Sequence, residues 1–244
     1  MMKRISAFLF DFIMRMMLIA GVAIIFSAIF GYDGKLEKLE DHYDEYEEKY
    51  GINLEISDLE YTKLPDDEKA KYEEAEKEFS KDADVMALTA LILNLTLLIA
   101  VFSILFGYMI LEFFVPLFFG NGQTLGKKIF GIGVMREDGV RITHFMLFVR
   151  AILGKCTLEA LVPIAIIALI FVANAGIFGI AALLMFAALE VFLMVRTKTN
   201  SCVHDVLAYA VTVDMASQMI FDSEAALVEY KNKIHAEAVD RTDY

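Results

Sequence analysis

Apolar residues along this chain gather in four long runs, and the polar residues lie between them. The first run extends from about Ile5 to Phe30 and the second from near Val85 to Phe119. The third and fourth lie between Thr157 and Val195, split by the turn Ala173-Asn174-Ala175-Gly176. About 20 helical residues cross the roughly 30 Å hydrocarbon layer, so each run is a candidate transmembrane span. The predicted fold is mainly α. It is a polytopic membrane protein with four transmembrane helices, an extracytoplasmic helical hairpin and a small cytoplasmic β-hairpin or sheet. The second run is too long for a simple crossing, and Pro116 is expected to end or bend it. The third, about Leu158 to Val172, is short; it is expected to tilt or to be extended by the amphipathic segment before it.

Between the first two runs the pattern has a helical period. Leu36, Leu39, Tyr43, Tyr46 and Tyr50 follow spacings of 3, 4, 3 and 4, the seam of paired helices. Gly51 closes this arm, and Pro65-Asp66-Asp67 opens another, because proline and acids suit a helix's first turn. Tyr72, Ala75, Phe79, Ala83 and Met86 continue the seam, so the second arm is predicted to run unbroken into the second span. Further on, Lys128–Val134 and Val140–Thr143 flank Glu137-Asp138-Gly139, the pattern of a β-hairpin with an Asp-Gly turn. Ala210–Asp214 is a third β-prone run able to join it. Thr143 is placed to cap an amphipathic helix from His144 to Lys155, with Arg150 and Lys155 facing lipid headgroups. Ser223 to about Val239 reads as a soluble amphipathic helix with Leu227, Tyr230 and Ile234 on one face. No long internal repeat is read. The segments are therefore 1–30, first span; 31–84, acidic hairpin; 85–119, second span; 120–156, cytoplasmic hairpin and interfacial helix; 157–195, third and fourth spans; and 196–244, C-terminal segment.

Charge sharpens this picture. The chain is 58% hydrophobic with a mean hydropathy of +0.55, yet its formal net charge is −12. Residues 31–84 hold 20 acidic and 8 basic residues, and the remainder holds 14 of each sign, so the acidity belongs to the hairpin alone. A soluble enzyme, a basic nucleic-acid binder and a disordered acidic tail all fit poorly, and no nucleic-acid partner is expected. Lys3, Arg4, Lys127, Lys128, Arg136, Arg141, Arg150, Lys155, Arg196 and Lys198 all flank the same side of the spans. The positive-inside rule then puts both termini in the cytoplasm and residues 31–84 outside, in a multi-pass protein of the cell membrane. A signal peptide would also place Lys3 and Arg4 before an apolar run. Asp11 and Arg15 interrupt that run, and no small-residue cleavage site follows. Cys156 and Cys202 make no disulfide scaffold, and no metal-ligand spacing is present, so neither metal nor cofactor is expected.

Charges within a span cost about 2.5–3.5 kcal/mol each at mid-bilayer and default to a functional hypothesis. Here they are Asp11, Arg15, Glu112, Glu159 and Glu190, and the topology places all of them in the inner half. Arg4, Asp11 and Arg15 share one helix face, and Tyr108 and Glu112 share another with Asn94. Asp11 is expected within hydrogen-bonding reach of Arg15, Arg4 or Arg150, with Asp205 approaching the same region. Two readings stay open: a structural one, an ion-paired plug that locks helix packing or side chains that snorkel to the inner interface, and a functional one, an inward-facing pocket for a cation, a proton or a small solute. Gly122-Gln123-Thr124-Leu125-Gly126-Lys127-Lys128 resembles a phosphate loop but lacks its spacing. Asn94-Leu95-Thr96 matches a glycosylation pattern but lies within the bilayer, and the acids of the hairpin do not follow an EF-hand. His204-Asp205 and nearby Cys202 stand in no recognisable nucleophile motif, so no catalytic residue is assigned and no enzyme is expected.

Arg4-Ile5-Ser6-Ala7, Asp11, the Gly122–Lys128 segment with Gly131 and Val134, Arg150 and His204-Asp205 together are similar to the RDD family. These bacterial membrane proteins are named for one arginine and two aspartates. The resemblance implies that Arg4, Asp11 and Asp205 are those residues, within an RDD domain of about 1–214. The chain departs from the pattern in its long insertion at 31–84. It also lacks the usual small-residue-plus-Thr step in the run Val206-Leu207-Ala208-Tyr209-Ala210-Val211-Thr212-Val213. The family's molecular function is not established. The resemblance implies transport of ligands not yet identified. The first expectation is therefore a transporter-like or solute-binding membrane protein for an ion or small solute, in which Asp11 carries the proton or cation and Arg4 and Asp205 gate it from the cytoplasmic side. Four spans are few to enclose a path, so that reading requires a homo-oligomer in the bilayer. The alternative expectation is a membrane scaffold or regulatory subunit that presents the acidic hairpin and the cytoplasmic sheet to partners.

Overall fold

The computed structural model describes residues 2–172, 176–197 and 199–242; the expected turn at Ala173-Asn174-Ala175 and the charge at Lys198 lie outside the described residues. Four helices are long and apolar enough to cross a membrane: Met2–Phe30, Ala83–Phe119, His144–Ile170 and Gly176–Arg196. The chain is mainly helical and divides into two compact units, residues 20–103 and residues 1–19 with 104–244.

In the unit of residues 20–103, α1 (Met2–Phe30) ends at Gly31, whose φ of +59° suits a residue without a side chain. α2 (Asp33–Tyr50), α3 (Asp58–Tyr61) and α4 (Asp66–Phe79) build the acidic hairpin. Ser57 and Glu60 form a reciprocal capping box that opens α3. The seam packs as its spacing requires: Tyr46, Leu54 and Ala75 are buried, with Tyr43, Tyr50, Tyr72 and Phe79 against them. Leu36, at the start of the seam, stays exposed.

The second arm does not run unbroken into the second span. α4 stops at Phe79, and α5 (Ala83–Tyr108) begins anew. Asp82 is the physical reason. Its Oδ2 accepts the Tyr46 hydroxyl at 2.9 Å, while its Oδ1 accepts the amides of Asp84 at 2.8 Å and Val85 at 3.3 Å. A capping carboxylate starts a new helix here. The seam loses phase at the break, leaving Ala83 and Met86 exposed and Val85 buried.

In the other unit, α5 leads into a widened segment, Met109–Phe114, and then α6 (Val115–Phe119). α7 (Leu125–Ile129) precedes β1 (Ile132–Arg136). α8 (His144–Phe148), a second widened segment (Val149–Leu161) and α9 (Val162–Val172) follow in one helical run, then α10 (Gly176–Arg196). α11 (Val203–Leu207) precedes β2 (Ala210–Asp214), and α12 (Glu224–Thr242) closes the chain. The third span thus starts at His144, capped by Thr143 as expected and well before Leu158.

Both widened segments bond five residues back, the Val115 amide to the Ile110 carbonyl and the Val162 amide to the Thr157 carbonyl. Each is followed two positions on by a proline, Pro116 and Pro163. A proline offers no N–H, and its ring crowds the carbonyl four residues back. A wider turn is one way a helix passes through proline. Pro116 accordingly does not end the second span, which stops at Gly120 with φ of +78°.

β1 pairs antiparallel with β2, from Ile132 opposite Asp214 to Arg136 opposite Ala210. The Asp-Gly turn forms, with the Gly139 amide on the Arg136 carbonyl at 3.0 Å. Its returning arm, however, meets β1 only at the Met135–Arg141 bridge before Val140 bridges to Phe221. Lys128 and Ile129 are helical. The hairpin reading is therefore replaced by pairing with the distant Ala210–Asp214 run. Both faces of the ribbon are covered, one around Val134, Ala210 and Leu147, the other around Met135, Val211 and Val213. Successive side chains of a strand point to opposite faces, so the partner needs apolar residues on both. Ala210-Val211-Thr212-Val213 offers that, whereas Val140-Arg141-Ile142-Thr143 is apolar on one face only.

The structure also holds a short internal repeat that the sequence does not announce. Thr124 and Cys202 stand at the N-caps of α7 and α11 with φ, ψ of −72°, 173° and −79°, 173°. Phe130 and Ala208 end those helices at −92°, 7° and −95°, 5°. Gly131 and Tyr209 follow with φ of +67° and +47°. Counterparts keep one constant separation along the chain, Leu125 with Val203 and Ile132 with Ala210 alike. The register is symmetric as well, since Val134 faces Thr212, its own counterpart. Even the closing bonds match: the Met215 amide donates to Gly131 at 3.0 Å and the Glu137 amide to Tyr209 at 3.2 Å. A pseudo-two-fold axis therefore passes through the Val134–Thr212 pair. It relates α7 and β1 to α11 and β2; the chain up to β1 is the first half, and the chain from there to β2 is the second.

Candidate functional site

The two halves use carboxylates in the same way. Asp11 of α1 accepts the Thr124 hydroxyl on Oδ2 and the Gly126 amide, at 2.7 Å, on Oδ1. Glu159 of the third span accepts the His204 amide at 3.1 Å. Gly126 and His204 are counterparts, so the first span of each half caps the short helix of that half. Glu112 and Glu190 are counterparts too, and Glu190 adds a contact to the Val203 amide at 3.3 Å. The phosphate-loop look of Gly122–Lys128 has its explanation here, because the anion that the loop holds is Asp11. Gly126 permits the contact: a Cβ there would lie 2.5 Å from the Ala7 carbonyl oxygen and 2.9 Å from Asp11 Oδ1. Gln123 secures the loop by donating to the Ile132 carbonyl at 2.8 Å, and Gly122 holds a φ of +60° against Val134.

A buried charge network lies beside these caps. Glu112, 2% exposed, receives Arg15 on one carboxylate oxygen at 3.0 Å and Lys155 on the other at 2.7 Å. The Arg15 guanidinium also lies over the Tyr108 ring, 4.6 Å from its centroid. Arg150, also 2% exposed, donates from Nε to Asp205 Oδ1 at 2.7 Å. His204 links this pair to Glu159, with Nδ1 2.5 Å from the glutamate and Nε2 3.5 Å from Asp205. Gly154 lets α11 reach the third span, since a Cβ there would lie 2.5 Å from His204 Cβ. Burial opposes charge on Asp205, but the bonded Arg150 guanidinium leads the neighbours that outweigh it and hold the carboxyl below its usual range. Burial depresses His204, against the pull of Asp205.

Lys127 is different. It is buried, and among the described residues its Nζ has no hydrogen-bond partner. Burial, with Arg150 and Lys155 nearby, pushes its amine well below the ordinary lysine range, against the attraction of Glu112 and Asp205.

Several expectations need correction. Asp11 bonds to a hydroxyl and an amide rather than to a basic group. Arg15 turns from its neighbour Asp11 to Glu112, where a less exposed carboxylate needs a cation. Arg4 donates to the Thr212 carbonyl at 2.5 Å, on the edge of β2, and among the described residues it makes no ion pair with Asp11 or Asp205. Lys3 adds an ion pair with Asp214 at 2.8 Å. Arg150 and Lys155 turn inward to Asp205 and Glu112 rather than to headgroups. Asn94 is exposed. The burial of Lys127 was not anticipated, and no sequence pattern around it signals it.

Four apolar helices, with charges buried among their ends, fit a multi-pass membrane protein. The family follows from comparison: the RDD family model matches residues 1–209, and the chain belongs to the RDD family. No curated protein and no solved structure matches it.

Proposed function

We propose that this protein binds or transports an ion or small solute through the buried charge network, at the cytoplasmic end of spans whose termini both lie inside. The observation that carries the reading is the burial of charges from both halves, the pairs Arg15–Glu112–Lys155 and Arg150–Asp205 together with Lys127, whose amine has no hydrogen-bond partner among the described residues. Intramembrane charge is costly and marks ion pathways or proton relays in many membrane proteins. Parallel repeats with sites at their interface also occur among transporters, which adds support by analogy alone. The reading is of a non-enzymatic protein, with Asp11 a structural cap rather than the carrier. A homo-oligomer would enclose the path.

Ion flux into proteoliposomes tests this, with H⁺ and Na⁺ indicators, native protein and a Glu112→Gln variant. Native flux above empty vesicles, reduced at least tenfold by Glu112→Gln in a folded protein, is expected. Absence of native flux for every ion tried refutes transport.

One observation favours a second reading. Glu112 and Asp205 already have cation partners within the chain, as in an ion-paired lock. A scaffold that presents the acidic hairpin would need only that lock, and Glu112→Gln would then change stability without any flux to lose.

A further inference from the structure

Lys127 and Asp205 occupy counterpart positions in the two halves, each the third residue of its short helix. One became a base and the other an acid, both buried. Asp205 is committed to Arg150 at 2.7 Å. Glu112 is committed to Arg15 and Lys155. The buried amine of Lys127 has no hydrogen-bond partner among the described residues, and it feels two satisfied carboxylates and two cations. An ammonium would need acceptors for three N–H bonds, and an unsolvated ion of this kind carries a large penalty.

We infer that Lys127 is a proton-binding site at the pseudo-two-fold interface, holding a neutral amine at rest and accepting one proton from the aqueous edge of the network. This deepens the ion-handling reading above by naming the ion, and it rests on that reading only for the proton's use, not for its binding. The balance is simple: the amine lone pair takes a proton from hydronium, an N–H bond forms, and water is left. The groups that face the amine set the response. Glu112 from the second span and Asp205 from α11 favour the ammonium; Arg150 and Lys155 from the third span oppose it. Asp11 lies at the N-terminus of Lys127's own helix, engaged with Thr124 and Gly126. Anything that draws Lys155 from Glu112 or Arg150 from Asp205 frees a carboxylate for Lys127 and favours proton uptake, so the two ion pairs and the proton site are coupled.

The test is a pair of measurements on the full-length protein. The first is reversible unfolding by sodium dodecyl sulfate in mixed micelles, comparing native protein with Lys127→Met. An amine neutral when folded and charged when unfolded takes up a proton on unfolding. The native unfolding constant, relative to Lys127→Met, should therefore fall about tenfold per pH unit between pH 8 and 9, below the free lysine pKa of about 10.4. A ratio that does not change with pH overturns the inference. The second measurement needs no folded variant to be quantitative. In native protein carrying ¹³Cε-lysine, the Lys127 resonance, assigned with Lys127→Arg, should report a neutral amine at pH 8, and one charged to pH 10 overturns the inference. Neither readout involves flux. A neutral Lys127 in a protein without flux keeps the proton site and removes transport, whereas flux with a charged Lys127 does the opposite.

Discussion

Replacing Arg150 by methionine leaves Asp205 buried without its bonded cation, and the expected cost can be worked from the geometry. At 2.7 Å and an effective dielectric of about 20, the pair's Coulomb attraction is about 6 kcal/mol. Desolvation costs several kcal/mol per ion, so the pair as a whole contributes little net stability beside an apolar substitute. Losing one partner alone costs about 3–5 kcal/mol. Arg150→Met should fall within that range. The double change Arg150→Met with Asp205→Leu should recover most of it. Detergent unfolding followed by far-ultraviolet circular dichroism, run as a double-mutant cycle, measures the coupling. Acid gives a second check. The folded Asp205 pKa is depressed, so its contribution is present above the unfolded carboxyl value of about 3.9 and is lost as pH falls toward the folded one. Asp205→Leu should lack that acid-sensitive component. Single variants within about 0.5 kcal/mol of native, or a double variant costing the sum of the two, would refute the reasoning.

Gly154→Ala should destabilise by about 1–3 kcal/mol, because the new methyl would lie 2.5 Å from His204 Cβ and 2.7 Å from His204 Cα; an unchanged melting temperature would contradict the close approach. Asp11→Ala should cost about 0.5–2 kcal/mol, the value of a lost cap, and Asp11→Asn less, since an amide oxygen still accepts the Gly126 N–H. Equal losses in the two unfolding curves would point to a charge effect instead. For topology, Glu48→Cys should react with an impermeant thiol reagent in intact cells; reaction only after permeabilisation would reverse the assignment of sides.

What the sequence disclosed depended on how locally each feature is encoded. Spans need only a run of apolar residues, and the hairpin needs only the period from Leu36 to Tyr50, so both were legible. The break at Asp82 was not, because the periodic pattern passes across it and only the Tyr46 hydroxyl reveals what that carboxylate does. The charges of the candidate site were legible as costly residues, yet their partners were not. Helix spacing tied Arg15 to Asp11, whereas packing gave Arg15 to Glu112 and Asp11 to the Gly126 turn. The repeat was hidden twice over. The hairpin separates the first two spans, and the matched segments share backbone torsions rather than residues, Gly131 opposite Tyr209 being the clearest case.

The meeting of the two halves about the Val134–Thr212 pair is the claim on which the site rests, and a disulfide tests it directly. The closing bonds at Met215–Gly131 and Glu137–Tyr209 make Val134 and Thr212 a pair without mutual hydrogen bonds. Such pairs hold their Cα atoms about 4.5 Å apart, within the roughly 4.4–6.8 Å that a disulfide spans. With Cys156 and Cys202 replaced by alanine, Val134→Cys combined with Thr212→Cys should cross-link under mild oxidation. Intact mass after alkylation would then show two blocked thiols. Val134→Cys with Val211→Cys, on opposite faces, should stay reduced. Cross-linking of the second pair instead of the first would contradict the register, the axis and the placement of Lys127 opposite Asp205.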